Sequence, residues 1–201
     1  FDVKNYDPAS TLIIDPQVIF CSFSGSSADN WGFTATYGPD ASMYGGGIVF
    51  SGGSFPVTPG AFQTVYGGGD TGGNGPVDIG IIKLSPDVSS RMYATYIGGS
   101  GNEQPHSLIV DNQGNLILAG RSSSPNYPLR NPNSAASQIG AGGGFDIVVT
   151  KLNATGTDLI GSKKIGGSGD DGVNISITRG LNSLQRNYGD DARSEVILDA
   201  A

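Results

Sequence analysis

The chain repeats itself, and a chain built of similar short units must bury the faces of each unit against its neighbours. The stretch DIGIIKLSPDVSSRMYATYIGGSG, beginning at Asp78, lies without a gap over DIVVTKLNATGTDLIGSKKIGGSG, beginning at Asp146, an offset of 68 residues, and nine of the 24 positions are identical. The identities are the Asp-Ile start, the pairs Lys83-Leu84 and Lys151-Leu152, and the whole closing Ile-Gly-Gly-Ser-Gly. A second overlay sets FSGSSADNWGFT, from Phe23, on IGGSGNEQPHSL, from Ile97: a turn of small residues, an acid or amide pair, then a strand. YGGGIV after Met43 then falls near ILAGRS after Leu116 with a one-residue slip, and NYGDDARSEVILD, from Asn187, opens a further copy resembling GSGNEQPHSLIVD.

Each unit reads as four short strands. DIVVTKL is followed by a turn, then by a strand ending in IGGSG, a short inner strand HSLIVD, the turn NQGN and the strand LILAGRS. Asn and Gly in that turn tolerate the positive φ a tight hairpin requires. The 33 glycines, without a Gly-X-Y period, fit many tight turns between short runs of Val, Ile, Tyr and Phe, so the expected class is all-β. Four-stranded antiparallel sheets of this kind cannot bury both faces alone and stack either radially, as propeller blades, or in series. The GGSG segments suit the crossing from one unit to the next, and the glycine-rich stretches Gly67 to Gly75 and Ile139 to Asp146, which lack the Gly-Lys-Ser/Thr of a phosphate loop, read as loops between blades.

Several segments in order carry a family resemblance: FPVTPGAFQT (Phe55 to Thr64), DIGIIKLSPD (Asp78 to Asp87), YATYIGGSGNE (Tyr93 to Glu103) and IVDNQGNLILAGRSSSPNYP (Ile109 to Pro128). Together they resemble the bacterial seven-bladed β-propeller repeat, the SBBP repeat, over most of residues 18 to 175; NWGFTATY and GGGFDIVVTKLNATGT resemble propellers within gliding-motility-associated surface proteins of Bacteroidota. The resemblance implies a partial β-propeller of about three blades and the start of another: a lead-in over 1–17, then units over 18–77, 78–145, 146–186 and an incomplete 187–201. It also implies export by type IX secretion to the cell surface or medium, although no C-terminal sorting domain is visible. PVTPGAFQT occurs once, SPNYPLRNPNSAASQIG stands in its place in the second unit, and the abrupt ends FDVKNY and ILDAA favour a piece of a longer chain.

The chemistry is sparse. A formal charge of −7 supplies no basic stripe for a phosphate backbone, which excludes nucleic acid, and no run of 18 apolar residues spans a membrane as a helix. Cys21, the single cysteine, reads as a small buried apolar residue. His106, the single histidine, has Gly32 or Phe33 and Ser194 as its counterparts, so it reads as a strand residue, not a general base. Acid pairs recur at Asp170-Asp171 and Asp190-Asp191, with Asn102-Glu103 and Asp29-Asn30 in the corresponding places. These acids read first as structural turn caps; Asp170, Asp171, Asp190, Asp191 and Glu103 are the candidate Ca²⁺ ligands of the alternative reading, and a shared catalytic site is disfavoured because neighbours in a strand face opposite ways. Trp31 and the tyrosines offer aromatic faces for a sugar, about half of them expected in the core, and the triplets at Asn153 and Asn174 match chance in a chain this rich in Asn, Ser and Thr. The expected function is a non-enzymatic scaffold or adhesion platform, joined to other domains and open to protein or glycan ligands, with no cofactor beyond candidate calcium; the alternative is a hydrolytic or lectin-like propeller whose carboxylates and aromatics converge at the channel.

Overall fold

The computed structural model describes residues 9, 23–68, 77–130, 137–171 and 196–199. Among the described residues nine strands form two sheets, antiparallel but for one short edge strand, and there is no helix. The first sheet runs in chain order: β1 (Asn30–Tyr37), β2 (Met43–Phe50), β3 (Val77–Leu84) and β4 (Arg91–Ile97). The second has β5 (Glu103–Val110), β6 (Leu116–Ser122), β8 (Asp146–Leu152) and β9 (Leu159–Ile165) as neighbours, with the two-residue β7 (Gln138–Ile139) lying parallel to β9 at the edge.

The repeat extends to irregularities. A register shift lies between Gly32 and Thr34 on β1, and another between Pro105 and Ser107 on β5, an offset of 73 residues, one less than the overlay of Phe23 on Ile97. The outer hairpins preserve the offset of 68, with shifts at Lys83/Leu84 and Lys151/Leu152. Turns match as well. Gly38 N–H to Ser42 O and Asp111 N–H to Asn115 O close the first hairpin of each sheet, with Ala41 (φ 62°) and Gly114 (φ 81°) in the left-handed region at the same place. The outer hairpins close by Ser85 N–H to Ser90 O and Asn153 N–H to Asp158 O, with Val88 (φ 52°) and Gly156 (φ 69°) equivalent. Lys83 pairs with Asp40 at 3.8 Å, and Lys151 with Asp111 at 2.7 Å. A methyl at Gly47 would strike the Trp31 carbonyl, and one at Gly120 the Gln104 carbonyl, so both positions allow the same close strand approach.

Strand β5 lies against β1, β2 and β3, so the sheets stack face to face. Tyr44, Ile79, Ile81, Tyr93 and Ile97 from one sheet meet Leu108, Leu118, Val148, Leu152 and Leu159 from the other in the main core. A Cβ on Gly46 would come within 2.9 Å of Leu108, so the bare backbone there makes room for that leucine. On the far side of the first sheet Val49, Phe55, Ala94 and Tyr96 form a smaller cluster with Ala28. Among the described residues no helix is long and apolar enough to cross a membrane.

Two expectations change here. The glycine-rich stretch Ile139 to Asp146 joins β7 to β8 within the second sheet; it does not connect one sheet to the next, because the crossing is made by Gly98 to Asn102 between β4 and β5. The sheets themselves run from Asn30 to Ile97 and from Glu103 to Ile165, out of phase with the segment 78–145 that the sequence overlay delimits. Cys21, Asn174, Tyr188, Asp190 and Asp191 lie outside the described residues.

Candidate functional site

The densest polar chemistry lies in the seam between the sheets, where the crossing turn passes two carboxyl groups. Asp78, the second residue of β3, and Glu103, the first of β5, are both fully buried. Glu103 accepts hydrogen bonds from the Ser122 and Ser124 hydroxyls and from the Gly99 N–H at 3.0 Å. Asp78 Oδ2 accepts the Gly67 N–H at 2.6 Å, while its Oδ1 receives no donor. A Cβ on Gly98 would collide with Asp78 Oδ1 and lie 2.8 Å from Glu103 Oε2, so the two carboxyls border one Cα and a larger residue at 98 would part them. Burial pushes the Asp78 carboxyl up to about 8, and the negative charge of Glu103 adds to the rise against the opposing Gly67 hydrogen bond. The Tyr66 hydroxyl is raised by burial first and then by the charges of Asp78 and Glu103.

The next repeat builds the same place differently. Asp146 is the counterpart of Asp78 and Gly166 of Gly98, and a Cβ there would again strike the aspartate. Where the first sheet has Tyr96, whose hydroxyl accepts the Phe55 N–H at 3.1 Å, the second has Lys164. Its ammonium lies 2.9 Å from Asp146 Oδ2 and donates to Ser124 O at 3.0 Å.

The calcium candidates are split by the fold. Asp170 Oδ1 accepts the Phe145 N–H at 2.7 Å just as Asn102 Oδ1 accepts the Val77 N–H at 3.1 Å. Asp171 takes the Gly167 N–H as Glu103 takes that of Gly99. Both aspartates thus close the turn that follows β9. No group of three or more His, Cys, Asp or Glu side chains suited to a metal occurs among the described residues. Asp78 is absent from the sequence-derived candidates, although its recurrence as Asp146 at the head of an apolar strand marks it.

His106 lies on β5, and burial, with a smaller contribution from the Arg121 charge, pushes its imidazole down to about 4. Tyr44, Tyr93, Tyr96 and Tyr127 are core residues, and Trp31 packs edge-on to Phe50 at 4.8 Å. The other feature of note is a groove of about 490 Å³ on the first sheet, over Ala35, Gly45, Gly80 and Ile82 with Trp31 and Phe55 at its margins. The counterparts of Ala35, Gly45 and Gly80 are Leu108, Leu118 and Val148, the side chains by which the second sheet packs on the first. No family model matches this chain, and no curated protein matches it.

Proposed function

We propose that this chain is a non-enzymatic segment of a β-propeller of the SBBP kind, carried by an exported bacterial surface protein as a rigid scaffold or adhesion platform. The observation that carries the reading is the recurrence of the crossing turn. The side chains of Asn102 and Glu103 accept the Val77 and Gly99 N–H groups as those of Asp170 and Asp171 accept the Phe145 and Gly167 N–H groups, so the second sheet ends on the same turn that leads from the first sheet into the second. The groove lies on the face of the first sheet that corresponds to the face by which the second sheet packs on the first, which leaves a place for one more sheet of the same type. In support of a non-enzymatic role, the carboxyl pair Asp78 and Glu103 is sealed from solvent. Val196, in a segment whose sequence resembles an inner strand, donates its N–H to Ser107 on β5 at 3.2 Å, where a following unit would begin.

Electron microscopy of the native full-length protein tests the architecture. Sheets arranged radially about an axis support it; a linear stack of sheets would discard it. Antibody labelling of intact cells tests location, with labelling only after permeabilisation as the outcome against surface display.

A further inference from the structure

We propose that the seam between the two sheets is latched by a single proton shared between Asp78 on β3 and Glu103 on β5, and that loss of this proton to base loosens the stack. The second repeat shows what the position requires. Its buried Asp146 is held by the Lys164 ammonium, whereas Tyr96 in the first repeat directs its hydroxyl to the Phe55 N–H and brings no positive charge. Among the described residues no lysine or arginine pairs with Asp78 or Glu103. Two carboxylates this close and fully buried cannot both stay ionised, and a proton is the smallest cation that satisfies them beside the Gly98 backbone. Glu103 already accepts three hydrogen bonds, so the proton resides on Asp78, whose Oδ1 has no other partner, and the two carboxyls are hydrogen-bonded to each other.

The groups around the pair do not replace it as titrating elements. Tyr66 from the loop after β2 and Tyr127 from the loop after β6 have hydroxyls pushed up by burial, and each is raised further by Glu103. Tyr96 on β4 is bonded to backbone, and Lys164 on β9 reaches the pair only through Ser124.

The sign follows from linkage. Asp78 is raised from 3.8 to about 8, so the unfolded chain releases this proton first and stability falls as pH rises through that interval. His106 acts oppositely: its value drops from 6.5 to about 4, so it adds stability as pH rises between those values. The latch is therefore read above pH 6.5. Between there and about pH 8 the folded-to-unfolded ratio of the wild type should fall roughly fifteenfold, close to tenfold per pH unit at first and less near pH 8, where half of the folded chain has itself released the proton.

Denaturant titrations of the purified chain at closely spaced pH values, beside Asp78→Asn, test this. The amide retains a donor toward Glu103, and its profile should be flat over the window in which the wild type falls. Infrared difference spectra of the wild type provide a second measurement that needs no variant: a protonated carboxylic acid band at pH 6.5, gone at pH 9.5. Parallel profiles for wild type and Asp78→Asn, or no acid band at pH 6.5, would overturn the proposal. Full restoration of alkaline stability by millimolar CaCl₂ would also overturn it, because a metal ion would then be the latch.

Discussion

Replacing Lys164 by Met removes one ammonium from the second seam while keeping an unbranched stem of similar length. Its Nζ lies 2.9 Å from Asp146 Oδ2, with side-chain exposures of 6% and 0%. Coulomb's law at that distance with an effective dielectric of about 20 gives an attraction of about 6 kcal/mol, but most of this only offsets the desolvation of the two ions. The loss on truncation is larger than the net worth of the pair, because Asp146 remains as a buried carboxylate and Ser124 O loses its donor. We expect Lys164→Met to cost about 4 kcal/mol. At roughly 2–4 °C per kcal/mol this is a fall of about 8–16 °C in the melting midpoint. Adding Asp146→Asn to the same chain removes the stranded charge and should recover more than half of the loss. Urea unfolding at pH 7, followed by circular dichroism with the slope m checked for constancy, measures both steps. A single variant within about 1 kcal/mol of wild type, or a double variant no better than the single, would show that Asp146 is not held by Lys164 and would remove the comparison on which the shared proton in the first seam depends.

Other substitutions test the repeat itself. Val88 holds a β-branched side chain at φ 52° where the second repeat has Gly156 at φ 69°, so Val88→Gly should stabilise by about 0.5–1 kcal/mol in thermal melts, and a loss of that size would refute the strain. Gly47→Ala and Gly120→Ala push a methyl into the Trp31 and Gln104 carbonyls and should each cost about 3 kcal/mol, while Gly45→Ala, with nothing within 4 Å of its Cβ, should be neutral or gain about 0.5 kcal/mol; equal effects at all three would count against the close strand approach. His106→Phe, which installs the residue of the first repeat, removes the His106 loss that opposes the Asp78 gain as pH falls from 6.5 to 4, so the variant should gain about 2 kcal/mol on the wild type over that interval after allowance for solvent screening, and parallel profiles in pH-dependent melts would discount the burial of the imidazole.

The strands were legible wherever the chain alternates or runs apolar between turn residues. DIGIIKL, LILAGRS and DIVVTKL lie within β3, β6 and β8, because a repeated unit states the same pattern twice. The Asp170-Asp171 pair was legible as turn chemistry for a similar reason: a short carboxylate near a backbone N–H acts locally, and local partners can be read from spacing. Composition could not say which glycine-rich stretch crosses between sheets, since GGSG and GAGGG permit the same backbone freedom and differ only in what lies on either side. The carboxyl pair was illegible for a further reason. Asp78 and Glu103 belong to different sheets and meet only after stacking, so neither residue's neighbours in sequence announce the other. The overlay did contain one clue, in a mismatch rather than an identity. Aspartate is retained at 78 and 146, glycine at 98 and 166, yet Tyr96 stands opposite Lys164. A buried acid kept in two copies while its counter-charge is kept in one must be neutralised in the other by something the sequence does not print: a proton held on Asp78 and hydrogen-bonded to Glu103, one strand further on.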